Sequence, residues 1–155
     1  MKIQDLLQKN SILIDLKSTE KDEALCQIAQ FMVSLYGLDN GDQISGLILE
    51  REAEMSTGIG YGIAIPHARI TGIDRLYMVA ARSVSGIEFG AIDDQPVHLI
   101  FMLVSPSNTS TEHTHILSVL SSIMAYEDVR EKLFCAETAE QFIDVIKKSE
   151  EKYIE

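Results

Sequence analysis

The amino-acid sequence predicts an α/β layered domain, in which a mixed sheet is flanked by helices on both sides. Strand-like apolar runs and amphipathic helical segments both recur along the chain. The run "VHLIFMLVS", residues 97–105, is almost continuously apolar, which is typical of a strand buried on both faces. A length of 155 residues fits one compact unit, so we predict a single domain over 1–155.

The first third of the chain is predicted to contain two helices. The first can be capped by Ser18 or Thr19 and stopped by Gly37, and its apolar residues recur at helical spacing. The second is predicted at about 42–54. Arg51 continues the apolar face of this helix, where an arginine either extends to water or points into a site.

Strand candidates and three further helices complete the prediction. The strand candidates cover 12–16, 58–65, 76–84 and 97–105. A third helix begins near Ser110 behind capping residues, and shorter helices follow at about 128–134 and 138–148. The closing charged segment, about 149–155, is predicted to be a frayed tail.

The composition excludes several classes of protein. A formal net charge of −11 repels phosphate backbones, so we expect no nucleic acid partner. The longest apolar run, 99–104, is far shorter than the ~20 residues of a membrane helix, and the N-terminus has no secretory signal pattern. Cys26 and Cys135 form no CxxC pair, and we expect them to be buried, reduced thiols in a cytoplasmic protein.

The segment "GIGYGIAIPHAR", residues 58–69, is a glycine-rich run that ends at a histidine. It does not fit a nucleotide-binding loop, because the GxGxxG and GxxxxGK[ST] spacings are absent and Pro66 interrupts any helix there. Small and large residues alternate instead, which predicts a strand with one thin face. His67 follows the end of this strand, where ligands of α/β sheets usually bind.

The candidate functional residues are His67, His113 and Arg51. His113 lies in the first turn of the third helix on its core-facing side, where the helix dipole disfavours imidazolium and favours an anion such as phosphate. The pattern lacks the ligand spacing of a zinc site and the GxSxG elbow of a hydrolase. It fits a neutral imidazole that attacks a phosphoryl group held by an arginine. His98, at a strand start, is expected to be either satisfied or exposed, and His115 is expected to be a rim residue.

Three segments resemble the enzyme IIA domains of the bacterial phosphoenolpyruvate-dependent phosphotransferase system, of the fructose/mannitol type that includes the nitrogen-related regulators: "ILERE", "STGIGYGIAIPHAR" and "GIEFGAIDDQPVHLIFMLVSP". The resemblance implies a mixed sheet of about five strands. It also implies that His67 accepts a phosphoryl group from an HPr-like phosphocarrier, as a tele-phosphohistidine. Arg51 then matches the active-site arginine, and His113 the histidine that stabilises the phosphoryl group.

The resemblance leaves the destination of the phosphoryl group open. Because "FGAIDDQPV" is more similar to stand-alone nitrogen-related members, we expect a phosphorylation-switched regulator that requires no metal or other cofactor and inserts into no membrane. The alternative is a sugar-specific enzyme IIA that passes the group to an enzyme IIB. A third hypothesis is a binding module that has kept the fold without phosphorylation.

Overall fold

The computed structural model describes residues 1–108 and 111–154, and within them one mixed sheet forms the centre of the molecule. Its strands are β1 (Ile12–Leu13), β2 (Gly58–Gly60), β3 (Ile63–Ala64), β4 (His67–Ile70), β5 (Tyr77–Ile87) and β6 (Val97–Pro106). The order is β1–β5–β6–β3–β2, and β4 also pairs with β6, directly after β3. The six strands described therefore occupy five positions, and the prediction of a mixed sheet of about five strands is confirmed.

Helices cover both faces of the sheet, as predicted. They are α1 (Ile3–Leu6), α2 (Lys21–Tyr36), α3 (Gly41–Glu54), α4 (Thr111–Met124), α5 (Glu127–Cys135) and α6 (Ala139–Tyr153). Residues of α1, α4, α5 and α6 form one apolar core, and residues of α2 and α3 form the other. The predicted start of the third helix near Ser110 lies outside the described residues. In the described residues, no helix has the length and apolarity needed to cross a membrane.

Strand β6 separates the two cores. Leu99, Phe101 and Leu103 contribute to the core under α4–α6, whereas alternate residues such as Ile100 and Met102 contribute to the core under α2 and α3. Since successive side chains of a strand point to opposite faces, a strand covered on both sides must be apolar throughout. The prediction drawn from "VHLIFMLVS" is confirmed.

The N-terminal cap of α2 differs from the prediction. Glu20, not Ser18 or Thr19, caps this helix, and its carboxylate accepts hydrogen bonds from the backbone N–H groups two and three residues later. A carboxylate can satisfy both orphan donors and also suits the positive end of the helix dipole. The predicted stop at Gly37 is confirmed, with a φ of 63° in the left-handed region.

The glycine-rich segment is a hairpin, so the prediction of one strand over 58–65 is wrong. Tyr61 and Gly62 have φ values of 60° and 79°, as in a type I′ turn, and β2 therefore runs antiparallel to β3. Another part of the backbone approaches closely at Gly58, where an added Cβ would lie 3.0 Å from the Cα of Ala91.

A turn at 91–94 lies along the outer side of β2, at the end of the sheet. The backbone N–H of Ile92 donates to the carbonyl of Gly58 over 3.4 Å, and the Asp93 carboxylate accepts from the N–H of Tyr61 over 2.9 Å. The opposite end of the sheet is the two-residue strand β1.

The C-terminal segment and the cysteines also differ from the predictions. The predicted tail from about 149 is helical as far as Tyr153, because the buried Glu150 carboxylate accepts the backbone N–H groups of Ile3 and Gln4 over 2.7 and 2.8 Å. These bonds fasten α6 to the N-terminus of α1. Cys26 is only half-buried and Cys135 is exposed, so the prediction of two buried thiols is wrong.

We expect Glu150→Gln to lower the free energy of unfolding by about 1–3 kcal/mol. In the variant, the NH₂ group of the amide would face a buried backbone N–H, which in the unmodified protein donates to a carboxylate oxygen of Glu150. Urea unfolding measures the change, with Glu151→Gln, at an exposed neighbouring position, as the matched control. Equal unfolding midpoints for the two variants would contradict a structural role for Glu150.

Candidate functional site

The three predicted site residues meet in one open cleft of about 610 Å³. His67 is the first residue of β4, His113 lies in the first turn of α4, and Arg51 lies in the last turn of α3. Arg69 also lines the cleft. The structure therefore brings together a strand and two helices that are far apart in the sequence.

The orientation of His67 comes from an interruption between β3 and β4. Pro66 has no N–H, so it cannot complete the ladder with β6, although its carbonyl accepts from the N–H of Leu103. The backbone N–H of Ile65 points away from β6 and donates to the carbonyl of Thr57. Since the N–H and C=O of one strand residue point to the same side, the Ile65 carbonyl also faces away from β6, at the point where β2 has not yet begun.

The ring of His67 forms a hydrogen bond with this carbonyl. Its Nδ1 lies 2.8 Å from the oxygen of Ile65. A carbonyl oxygen can only accept a hydrogen bond, so Nδ1 carries the proton and the other ring nitrogen, Nε2, keeps its lone pair. The half-buried His67 therefore presents a nucleophilic nitrogen without the help of a general base.

His113 stands beside His67 in edge-to-face contact. The ring centroids are 5.2 Å apart and the rings are inclined by 65°. The side chain is buried, as its position on the core-facing side of the helix predicted, and its Nδ1 is hydrogen-bonded to the hydroxyl of Ser105 on β6.

Both histidines are held in the neutral form. Burial is the main cause that lowers the pKa of His67, and the hydrogen bond to Ile65 opposes it. The positive charges of Arg51 and Arg69 lower this pKa as well, whereas the carboxylate of Glu52 raises it. Burial lowers the pKa of His113 to about 4, with contributions from His67 and Arg69. A neutral imidazole can act as a nucleophile at physiological pH, whereas an imidazolium cannot.

Arg51 is held at the cleft by the way α3 ends. Its Nη1 donates to the carbonyl of Met55 over 3.0 Å, just past the helix. The neighbouring Glu52 is buried, and its carboxylate accepts the N–H and the hydroxyl of Thr57 over 2.8 and 2.7 Å. The ammonium of Lys21, on α2, lies 3.1 Å from the same carboxylate. This network fixes the path of the chain from α3 into the hairpin, and with it the position of the guanidinium.

Sequence reasoning missed Arg69 and Ser105. Arg69 follows His67 by two residues on β4, so both side chains lie on the same face of the sheet. The two-residue period of a strand is therefore a sequence signal that could have identified Arg69. Ser105 pairs with Arg69 in the register of β4 and β6, which places it below the cleft on the same face. Nothing in the sequence connects Ser105 with His113 before the fold is known.

The other two histidines lie outside the cleft, as predicted. His98 hydrogen-bonds the carbonyl of Ser83 through Nδ1 over 2.8 Å, and its ring contacts Phe134 edge-to-face. His115 is exposed at the rim, with Nε2 3.2 Å from the carbonyl of Met1. His98 is therefore satisfied, which is one of the two predicted alternatives, and His115 is the predicted rim residue.

Comparison with known proteins gives one consistent result. A family model described as "Phosphoenolpyruvate-dependent sugar phosphotransferase system, EIIA 2" matches residues 5–149. A "PTS system fructose-specific EIIA component" of Haloferax volcanii is 40% identical over 81% of this chain and 82% of its own length. A "Nitrogen regulatory protein" of Bradyrhizobium diazoefficiens is 31% identical over 94% of this chain and 95% of its own length.

A solved structure and a longer relative extend the comparison. The crystal structure of "Nitrogen Regulatory Protein IIA-Ntr" from Neisseria meningitidis superimposes with a TM-score of 0.87 at 28% identity, covering 93% of this chain and 98% of that one. The "PTS system fructose-specific EIIABC component" of Bacillus subtilis is 34% identical, and the chain spans only 23% of its length. The family therefore includes both sugar-specific and nitrogen-regulatory relatives of this chain.

We expect the free energy of unfolding to fall as the pH drops from 6.5 towards 4. In this range the unfolded chain binds a proton at His113, whereas the folded chain keeps this ring neutral down to a pKa of about 4. His67 adds to the loss in the same direction, because its pKa is also lowered.

Urea unfolding at several pH values between about 4 and 7 tests this expectation. His113→Gln, which has no group to titrate at this position, should lose less stability over that range than the unmodified protein. His115→Gln, at the exposed rim, is the control and should behave as the unmodified protein does. An unchanged pH dependence in His113→Gln would show that His113 is not held neutral by the fold.

Proposed function

The chain belongs to the EIIA 2 family of the phosphoenolpyruvate-dependent sugar phosphotransferase system, and from this premise we propose that it is a phosphocarrier that accepts a phosphoryl group on Nε2 of His67. The observation that carries the proposal is the hydrogen bond between Nδ1 of His67 and the carbonyl of Ile65. It leaves Nε2 as an unprotonated nucleophile in a cleft lined by two arginines.

The chemistry of transfer follows from this tautomer. The phosphoryl donor is a phosphohistidine of an HPr-like carrier. The Nε2–P bond forms on His67 as the N–P bond of the donor breaks, and the donor ring leaves with the electron pair of that bond. The Nδ1 proton of His67 stays on the hydrogen bond to Ile65, so no general base is needed. The guanidinium groups of Arg51 and Arg69 offset the charge of the phosphoryl oxygens.

We expect one phosphoryl group to be added when the protein is incubated with phosphoenolpyruvate, enzyme I and HPr. His67→Ala should remain unlabelled because the nucleophile is absent. Arg51→Gln should be labelled about a hundredfold more slowly, because one group that offsets the phosphoryl charge is lost. Intact-mass measurement at neutral pH, without an acid quench, checks all of these outcomes.

His115→Ala is the matched control, since it removes a histidine of the same helix that lies outside the cleft. It should be labelled at the rate of the unmodified protein. Labelling of His67→Ala at full rate would overturn the assignment of the acceptor.

The phosphocarrier acts as a regulator whose phosphorylation state determines which protein it binds. Support comes from the nitrogen regulatory relative, which matches along nearly its whole length, and from the IIA-Ntr structure. Phosphorylation adds close to two negative charges at the mouth of the cleft. Arg51 and Arg69 line the cleft together with Glu50 and Glu54, so this addition gives the cleft a negative charge in a chain whose formal net charge is already −11.

The second candidate is a sugar-specific enzyme IIA that passes the phosphoryl group to an enzyme IIB. It is favoured by one observation, the 40% identity to a fructose-specific EIIA component that the chain matches over 82% of that relative's length. The chemistry at His67 is the same in both candidates, and they differ only in the acceptor.

We expect the phosphorylated protein to keep its phosphoryl group when it is mixed with a fructose-specific enzyme IIB from the same organism. The reason is that the regulator uses the group as a signal and needs no fast onward transfer. Radiolabel on gel-separated proteins measures the transfer, with His67→Ala as the unlabelled control. Label that moves to the enzyme IIB within seconds would establish the second candidate instead.

A further inference from the structure

Ser105 does not line the cleft, yet its buried hydroxyl is hydrogen-bonded to His113, which does. The side chain has no exposed surface, and its Oγ is hydrogen-bonded to Nδ1 of His113. Its partner in the sheet register, Arg69, lines the cleft directly above it. Ser105 therefore lies where it can control the histidine without touching a ligand.

The direction of this hydrogen bond determines what His113 can do. A neutral imidazole carries its proton on one nitrogen only, and the other nitrogen is an acceptor. If Nδ1 donated to Ser105, the buried hydroxyl proton would need an acceptor elsewhere. In residues 1–108 and 111–154, His113 is the hydrogen-bond partner found for this hydroxyl. A buried hydroxyl left without an acceptor costs about 1–3 kcal/mol, so the bond runs from Ser105 to His113.

We propose that Ser105 is a positioning residue that donates its hydroxyl proton to Nδ1 of His113 and so keeps the proton of His113 on Nε2. In this tautomer Nε2, the nitrogen that is not bonded to Ser105, is a hydrogen-bond donor. Because His113 lines the cleft beside His67, this N–H serves the phosphoryl oxygens. The opposite tautomer would turn a lone pair towards these oxygens.

The two histidines then have opposite tautomers, each set by the partner of its Nδ1. His67 bonds a carbonyl, which can only accept, so its Nε2 is bare and nucleophilic. His113 bonds a hydroxyl that must donate, so its Nε2 carries a proton. One ring supplies the electron pair for the phosphorus, and the neighbouring ring supplies a donor for its oxygens. That His113 supplies a donor for the phosphoryl oxygens depends on the proposed function, whereas the tautomer of His113 does not.

Nitrogen-15 NMR of the imidazole rings reads the tautomer directly and needs no phosphoryl donor. We expect His113 to be protonated on Nε2 in the unmodified protein. Ser105→Ala should shift it towards the Nδ1–H tautomer and slow phosphorylation about tenfold. Ser105→Thr, which retains the hydroxyl, should restore both. Ser83→Ala, at another buried serine far from the cleft, should change neither.

Each outcome decides one statement. If His113 is protonated on Nδ1 in the unmodified protein, the role of Ser105 is overturned. This measurement needs no variant, so it decides the matter even if Ser105→Ala folds poorly. A tautomer of His113 that is the same in Ser105→Ala as in the unmodified protein also overturns that role. A shifted tautomer with an unchanged rate overturns its link to transfer. If the unmodified protein accepts no phosphoryl group while His113 is Nε2–H, the proposed function fails and the role of Ser105 in setting the tautomer stands.

Discussion

Pro66 has no backbone N–H to offer to β6, and the arrangement of the cleft depends on that gap. The missing N–H interrupts the hydrogen bonds between β3 and β4, while both strands keep the same register on β6, which places His67 opposite Leu103. The interruption also occurs where β2 has not yet begun, so the carbonyl of Ile65 has no strand beside it. A histidine one position later in the chain would lie on the opposite face of the sheet. Backbone geometry, not a neighbouring acid, thus fixes the tautomer of His67.

The electrostatics of the cleft depend on uncharged rings between fixed charges. Burial keeps His67 and His113 neutral, helped by Arg51 and Arg69 at His67 and by Arg69 at His113, so the net charge at the cleft changes little over the physiological range of pH. The arginine on α3 is kept in place by a buried carboxylate at the next position, whose partners lie on α2 and in the hairpin. The guanidinium of Arg51 is therefore held by the rigid frame, in a cleft that Glu50 and Glu54 also line.

The sequence predicted the elements whose signal is local. The apolar run of β6, the spacing of α3 and the left-handed Gly37 are visible in a window of a few residues, and the helical face of His113 follows from the same periodicity. The hairpin was missed because Tyr61 adopts a positive φ that side chains rarely take. The anchor at Glu150 was missed because its partner lies 147 residues away. Contacts of this kind depend on the packing of the whole chain, so no spacing rule reveals them.

The two ends of the sheet determine how other proteins can approach this one. An open strand edge offers a row of backbone donors and acceptors that any extended segment can pair with, which promotes aggregation and indiscriminate association. Here the carbonyl of Gly58 and the N–H of Tyr61 are already occupied by the turn at 91–94, and the other end is a strand of two residues. Recognition by addition of a strand is thus hindered at β2 and at β1. A partner that approaches at either of these strands meets side chains rather than a row of free backbone groups.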